Sequence, residues 1–261
     1  MAASTFAALG VPADVVDILK RNAIRKPLPM QAASLPDAIA GHDIACCAPA
    51  GSGSTLAFGL ALVTRTARSK PNRPTALVLV PTREAAGRVA GALHLVAAVR
   101  GLRVATVVGD TGYDKQRAAL RHGVEILVAC PGRLEELLDQ RDLSLESVRA
   151  VVVAGVDRLA ALGLLPAVET LLKATHKDSQ TLVYSTSTLE GDVDEFIRTH
   201  QKDPKRYDAP SSKKWTSAMA LPALDAEASN GLVSSETVVD YVGPQDRTST
   251  RRARRRHVRS R

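Results

Sequence analysis

Hydrophobic positions along the chain fall into short continuous runs separated by stretches of helical period. The runs are Ile44 to Ala48, Ala76 to Val80, Val104 to Val108, Glu125 to Ala129, Ala150 to Ala154 and Thr181 to Tyr184. Short runs rich in Val, Leu and Ile, without polar alternation, fit strands buried on both faces, as in a parallel sheet. Helical patterns lie around them, at about 13–22, 30–40, 55–68, 83–99, 114–122, 133–140, 159–175 and 191–200. Strands alternating with helices imply right-handed βαβ crossovers. The expected fold is α/β, a doubly wound, mostly parallel sheet flanked by helices.

The pattern stops near Pro210. Residues 1–208 are expected to form one domain, and 209–246 a linker in which Glu236 to Val242 supplies a short edge strand. Residues 247–261 carry few apolar side chains to bury and are expected to be disordered. A chain of 261 residues with 45% hydrophobic content can bury one such core. Two full nucleotide-binding domains do not fit. Aromatics make up only 3%, so the core must be built from Ala, Val, Leu and Ile, which suits helices packed on a sheet.

Charge adds a partner class. The formal net charge is +8, and residues 247–261 hold eight Arg and no acid, leaving 27 basic and 27 acidic residues in 1–246. A neutral body with a basic tail argues for an anionic partner reached through the tail, centred on Arg251, Arg252, Arg254, Arg255 and Arg256. The three cysteines, Cys46, Cys47 and Cys130, form no CxxC pair and lie near no His at ligand spacing, so neither disulfides nor a metal site are expected. No stretch reaches the roughly 18 apolar residues of a membrane span. The expectation is a cytoplasmic protein without a membrane partner.

Candidate chemistry begins after the first strand, at Ala48-Pro49-Ala50-Gly51-Ser52-Gly53-Ser54-Thr55, which opens directly into a helix. A glycine-bearing turn there presents backbone N–H groups and a helix N-terminus to an anion, the geometry of a phosphate cradle. A working P-loop places Lys immediately before its Ser/Thr, because the ammonium reaches the β and γ phosphates. Here that position is Ser54, so the competing account is an ordinary Gly-rich strand-to-helix turn.

From Phe6 to about Asp208 the chain resembles the DEAD-box RNA helicase family, in its first RecA-like domain. Pro27-Leu28-Pro29-Met30-Gln31 resembles the Q motif, with Phe6 as the isolated upstream aromatic. The resemblance implies that Gln31 reads adenine, although the stacking aromatic of that motif falls at Ile24. It makes Phe6, Gln31, Ala50, Gly51, Ser52, Gly53, Ser54 and Thr55 a vestigial nucleotide site. Pro81-Thr82-Arg83-Glu84 resembles motif Ia, Cys130-Pro131-Gly132-Arg133 resembles motif Ib, and Gly109-Asp110 stands where a glycine pair is usual. Thr82, Arg83, Gly109, Pro131, Gly132 and Arg133 are thereby implied RNA contacts. Each has a plain structural alternative: Pro-Gly-Arg is also a common helix start, and Arg83 can pair with Glu84 or Asp110.

The departures fall at the motif that names the family, where Ala154-Gly155-Val156-Asp157 replaces Asp-Glu-Ala-Asp. The family's first Asp holds magnesium and its Glu helps activate water; Ala154 and Gly155 do neither. Asp157 remains, and a link to the hydroxyl cluster at Ser185-Thr186-Ser187-Thr188, which resembles motif III, makes it structural. The expected function is RNA binding through a domain groove and the Arg tail, without hydrolysis. No catalytic residue is assigned, magnesium is not expected, and ATP or ADP is at most a residual ligand. Two alternatives stay open: an ATP-dependent helicase completed by a partner protein, and a non-catalytic protein-interaction module.

Overall fold

The computed structural model describes residues 5–109 and 111–208. The expected linker, its edge strand, the Arg tail and Asp110 lie outside the described residues. Seven strands form one sheet: β1 (Ile44–Cys47), β2 (Ala76–Leu79), β3 (Val104–Val107), β4 (Ile126–Ala129), β5 (Ala150–Ala154), β6 (Gln180–Ser185) and β7 (Lys205–Asp208). Their spatial order is β3-β4-β2-β5-β6-β1-β7, and every pairing is parallel.

Alternation along each strand divides the interior into two cores, because successive side chains point to opposite faces. Ile44, Cys46, Ala76, Val78 and Val152 join one cluster, whereas Ala45, Leu77, Leu79, Val151 and Val153 join the other. The first face is covered by α1 (Ala13–Arg21), α2 (Pro29–Ala40), α3 (Ser54–Arg65) and α4 (Arg83–Ala97), through residues such as Leu19, Leu35, Leu62 and Leu93. The second is covered by α5 (Tyr113–Arg121), α6 (Pro131–Asp139), α7 (Val156–Ala161), α8 (Leu165–Lys173) and α9 (Asp192–His200), through Leu120, Leu137, Leu159, Leu171 and Ile197. Both faces being covered explains why the strands read as unbroken apolar runs.

Two features differ from the sequence expectation. The helix expected over 159–175 is two helices, α7 starting at Val156 and α8 at Leu165. Gly163 takes a left-handed φ of 68° between them, and Pro166 occupies the first turn of α8, a position that suits a ring with no N–H. β7 was not foreseen, since Lys205-Arg206-Tyr207-Asp208 is polar. It pairs with β1, and among the described residues its other flank has no strand beside it, a position where polar residues are tolerated.

Because every strand is parallel, all carboxyl ends share one rim. The loops after β1, β2, β3, β4, β5 and β6, which hold the glycine-rich cradle, Thr82 and Arg83, Gly109, Pro131 to Arg133, Gly155 and Asp157, and the hydroxyl cluster, therefore converge there.

Candidate functional site

The loop after β1 rises between strand and helix as the sequence predicts. Ala48 N–H donates to the Ser185 carbonyl at 2.8 Å, tying the loop root to the end of β6, and Ser52 N–H closes a turn onto Pro49 at 3.0 Å. Gly51 and Gly53 have φ of 84° and 81°, and Gly53 caps α3. At Gly53 glycine is required twice over, since an added Cβ lies 2.4 Å from Gln31 Nε2. Ala50 and Gly51 are exposed, while Ser52 is buried with an unpartnered hydroxyl. Ser54 and Thr55 form the first turn of α3, at its positive end.

Gln31 is 1% exposed. Its Oε1 accepts the Leu28 N–H at 2.9 Å, and its Nε2 donates to the Gly53 carbonyl at 3.0 Å. The side chain thus clamps the start of α2 to the cradle, with one amide hydrogen left over. Phe6 and Ile24 are both core residues, 2% and 8% exposed. Both side chains pack into the core beneath the helices α1 to α4.

Opposite the cradle, β5 ends at Ala154 and Gly155 caps α7 with φ 76°. Gly155 N–H donates to the Tyr184 carbonyl at 2.8 Å, knitting the ends of β5 and β6. Asp157 reaches across that junction. Its carboxylate accepts the Thr186 N–H at 3.2 Å and the hydroxyls of Thr186 and Ser187, each at 2.7 Å. Burial alone pushes this carboxyl up, but the Ser187 and Thr186 donors outweigh it and hold its pKa below the usual 3.8. At the root of the cradle, burial raises the Cys47 thiol and the charges of Asp208 and Asp157 raise it further, so the local field is negative.

This donor set does not fit a metal-bound triphosphate. Ser54, Ala154 and Gly155 contribute no charge, and Asp157, the surviving carboxylate of its motif, has both oxygens engaged. Among the described residues no group of three His, Cys, Asp or Glu is placed to hold a metal ion.

The ends of β2, β3 and β4 form a second patch on the same rim. Thr82 caps α4, its hydroxyl accepting the Ala85 N–H at 3.2 Å. Arg83 is exposed and lies 3.7 Å from Glu84. Pro131 is buried at the start of α6, Gly132 is exposed beside it, and Gly109 is exposed after β3. Arg133 differs from expectation: its side chain is only 10% exposed. The guanidinium sits 4.0 Å from the centre of the Tyr113 ring and donates through Nη2 to the Gly109 carbonyl. Tyr113 was missed at sequence level, because nothing in a pair twenty residues apart announces a stack.

A family model described as DEAD/DEAH box helicase matches residues 28–196. The chain belongs to the DEAD/DEAH box helicase family. The ATP-dependent RNA helicase RhlB of Shewanella denitrificans is 34% identical over 216 residues, covering 80% of this chain and 50% of that protein. The ATP-dependent RNA helicase DeaD of Escherichia coli is 34% identical over 210 residues, covering 80% of this chain and 33% of the relative. The chain thus spans half or less of the length of these two curated relatives. A solved DEAD box protein from the hyperthermophile Methanococcus jannaschii superposes with a TM-score of 0.74 at 25% identity, covering 78% of this chain and 56% of that one. The span matching the DEAD/DEAH box helicase model contains the cradle, Asp157 and the second rim patch, and leaves out Phe6 and β7.

Proposed function

We propose that this DEAD/DEAH box helicase domain binds RNA and does not hydrolyse ATP. One observation carries the reading: Ser54, Ala154 and Gly155, at the ends of β1 and β5, bring no charge where phosphoryl transfer needs it. Catalysis of that class works by positioning and electrostatic stabilisation, with a lysine on the β and γ phosphates and metal-bridged oxygens. Ser54, Ala154 and Gly155 supply neither, and the carboxylate of Asp157 is spent on Thr186 and Ser187. The names of the relatives couple ATP to RNA; the loss here falls on the ATP half.

RNA binding draws on the other half. The N-termini of α4 and α6 open at this rim, and the positive end of a helix suits phosphates that position a nucleic acid without reading its sequence. The Arg-rich residues 247–261 add sequence-independent, salt-dependent affinity. The test measures binding of a fluorescent single-stranded RNA across salt concentrations, for the full chain and for a chain lacking 247–261. Removing arginines that neutralise even three phosphates lowers the log–log salt slope by about 2. An unchanged slope removes the tail from the account. In parallel, phosphate release is measured with RNA and magnesium. Turnover that Asp157→Ala abolishes in a still-folded protein would overturn the claim of silence.

A further inference from the structure

Resting on the RNA-binding reading, we propose that Tyr113 is a positioning residue of the RNA face: it holds Arg133 inward as a strut for the turn after β3. The phosphate contact at this end of the rim then falls to the backbone N–H groups opening α6, and the Arg133 guanidinium makes none.

Tyr113 opens α5, and its ring is approached by two guanidinium groups, Arg133 at 4.0 Å and Arg117 at 5.5 Å from the ring centre. The negative face of an aromatic ring attracts such cations, most strongly where water is excluded. Its hydroxyl donates to Glu136 Oε2 at 2.6 Å, and that same oxygen lies 3.4 Å from Arg133 Nε. Ring, guanidinium and carboxylate therefore fix one another. Arg117 is itself anchored, by Asp142 at 2.7 Å and Gln140 at 2.5 Å, so it does not release Tyr113.

The consequence reaches the turn. Arg133 Nη2 donates to the Gly109 carbonyl, and Gln116, 3% exposed, donates through Nε2 to Val108 at 2.7 Å and Thr111 at 3.3 Å. Two side chains from different helices thus hold the carbonyls on either side of the turn. To reach a phosphate, Arg133 must leave the ring, Glu136 and Gly109 together. A planar guanidinium that both stacks and donates in plane is not replaced by an ammonium, so the arrangement also distinguishes Arg from Lys at this position.

Two readouts test this on the full chain. In the first, a labelled oligouridylate is titrated at several salt concentrations. Arg133→Lys and Arg133→Ala are expected to weaken binding by a similar several-fold factor with an unchanged salt slope. Tyr113→Ala matches them, the double variant adds nothing further, and Tyr113→Phe retains part of the affinity through the ring. If instead Arg133→Lys binds like the native chain while Arg133→Ala lowers the slope by about 0.7, Arg133 contacts a phosphate directly and the proposal falls. The second readout needs no RNA. Amide hydrogen exchange at Thr111, whose N–H donates to the Val108 carbonyl, is expected to accelerate at least tenfold in Arg133→Ala and Tyr113→Ala. Unchanged exchange refutes the strut even if RNA binds, whereas accelerated exchange with no RNA binding by the native chain refutes only the RNA reading.

Discussion

Asp157 offers the sharpest test of how a motif residue is reused. Its carboxylate bridges the start of α7 to the end of β6 through three donors at 2.7 to 3.2 Å. Hydrogen bonds to a charged group contribute about 1.5–3 kcal/mol each when buried. This carboxylate is partly solvated, so solvent screening discounts the three together to about 2 kcal/mol. Asp157→Ala is therefore expected to destabilise by about 2 kcal/mol, which in a domain of this size lowers Tm by roughly 4–8 °C. Asp157→Asn, which keeps one carbonyl acceptor, loses about half as much. The pH dependence has a definite sign. A carboxyl whose folded pKa is depressed contributes stability that is present above its unfolded value and lost as pH falls through the folded one. The gap between native chain and Asp157→Asn is thus full above the ordinary 3.8 and closes below it. Urea denaturation at a series of pH values measures both quantities. An Asp157→Ala variant within about 0.5 kcal/mol of native, or a gap that widens on acidification, refutes the bridging role.

Other consequences follow from single residues. Gly155→Glu, which restores the family's acid, is expected to cost about 1–2 kcal/mol because φ is 76° there. Pro81 lies 3.7 Å from an added Cβ, so the strain is conformational and not a clash; Gly155→Asn should cost less in the same denaturation assay. Glu125 has a fully buried side chain held by Arg103 at 3.1 Å and by Ser69 N–H and Oγ at 3.2 and 3.0 Å. Its removal in Glu125→Ala strands Arg103 and should cost about 3 kcal/mol, at the low end for a buried pair because Arg103 reaches water. Ser54→Lys and Ala154→Asp, each unfavourable or neutral alone, should show a favourable coupling of about 1 kcal/mol in a double-mutant cycle read by thermal unfolding.

The sheet was legible in the sequence because burial on both faces removes the polar alternation that would confuse strand with loop. Six strands follow directly from runs such as Ala76 to Val80 and Ala150 to Ala154. The seventh was hidden for the opposite reason: Lys205 to Asp208 alternates partly buried and exposed residues on an edge, and with three charged residues around Tyr207 it carries little strand signal of its own. The split of α7 from α8 was encoded by Gly163 and Pro166, but an apolar stripe of helical period runs through both and masks the break. At the rim, loops were readable because glycine and proline mark where backbone must turn. Side-chain direction was not. The burial of Phe6 and the stacking of Arg133 on Tyr113 could not be read from the sequence, since inward or outward aim depends on partners far away in sequence.

The missing charges form a consistent set when read against the pocket's geometry. β1 and β5 flank β6, so their carboxyl ends stand about 10 Å apart, a gap that a lysine after one and an aspartate after the other span between them. A carboxylate kept at 154 with no lysine at position 54 would join the negative field that Asp157 and Asp208 already impose on Cys47. That half alone raises the energy of a partly buried charge. With both halves gone, the cradle keeps its backbone path, the Gln31 clamp and the β5–β6 junction, all of which are neutral or internally paired. Fold stability and phosphoryl transfer thus call on different residues at the same rim, which is why charges at positions 54, 154 and 155 are dispensable for the fold.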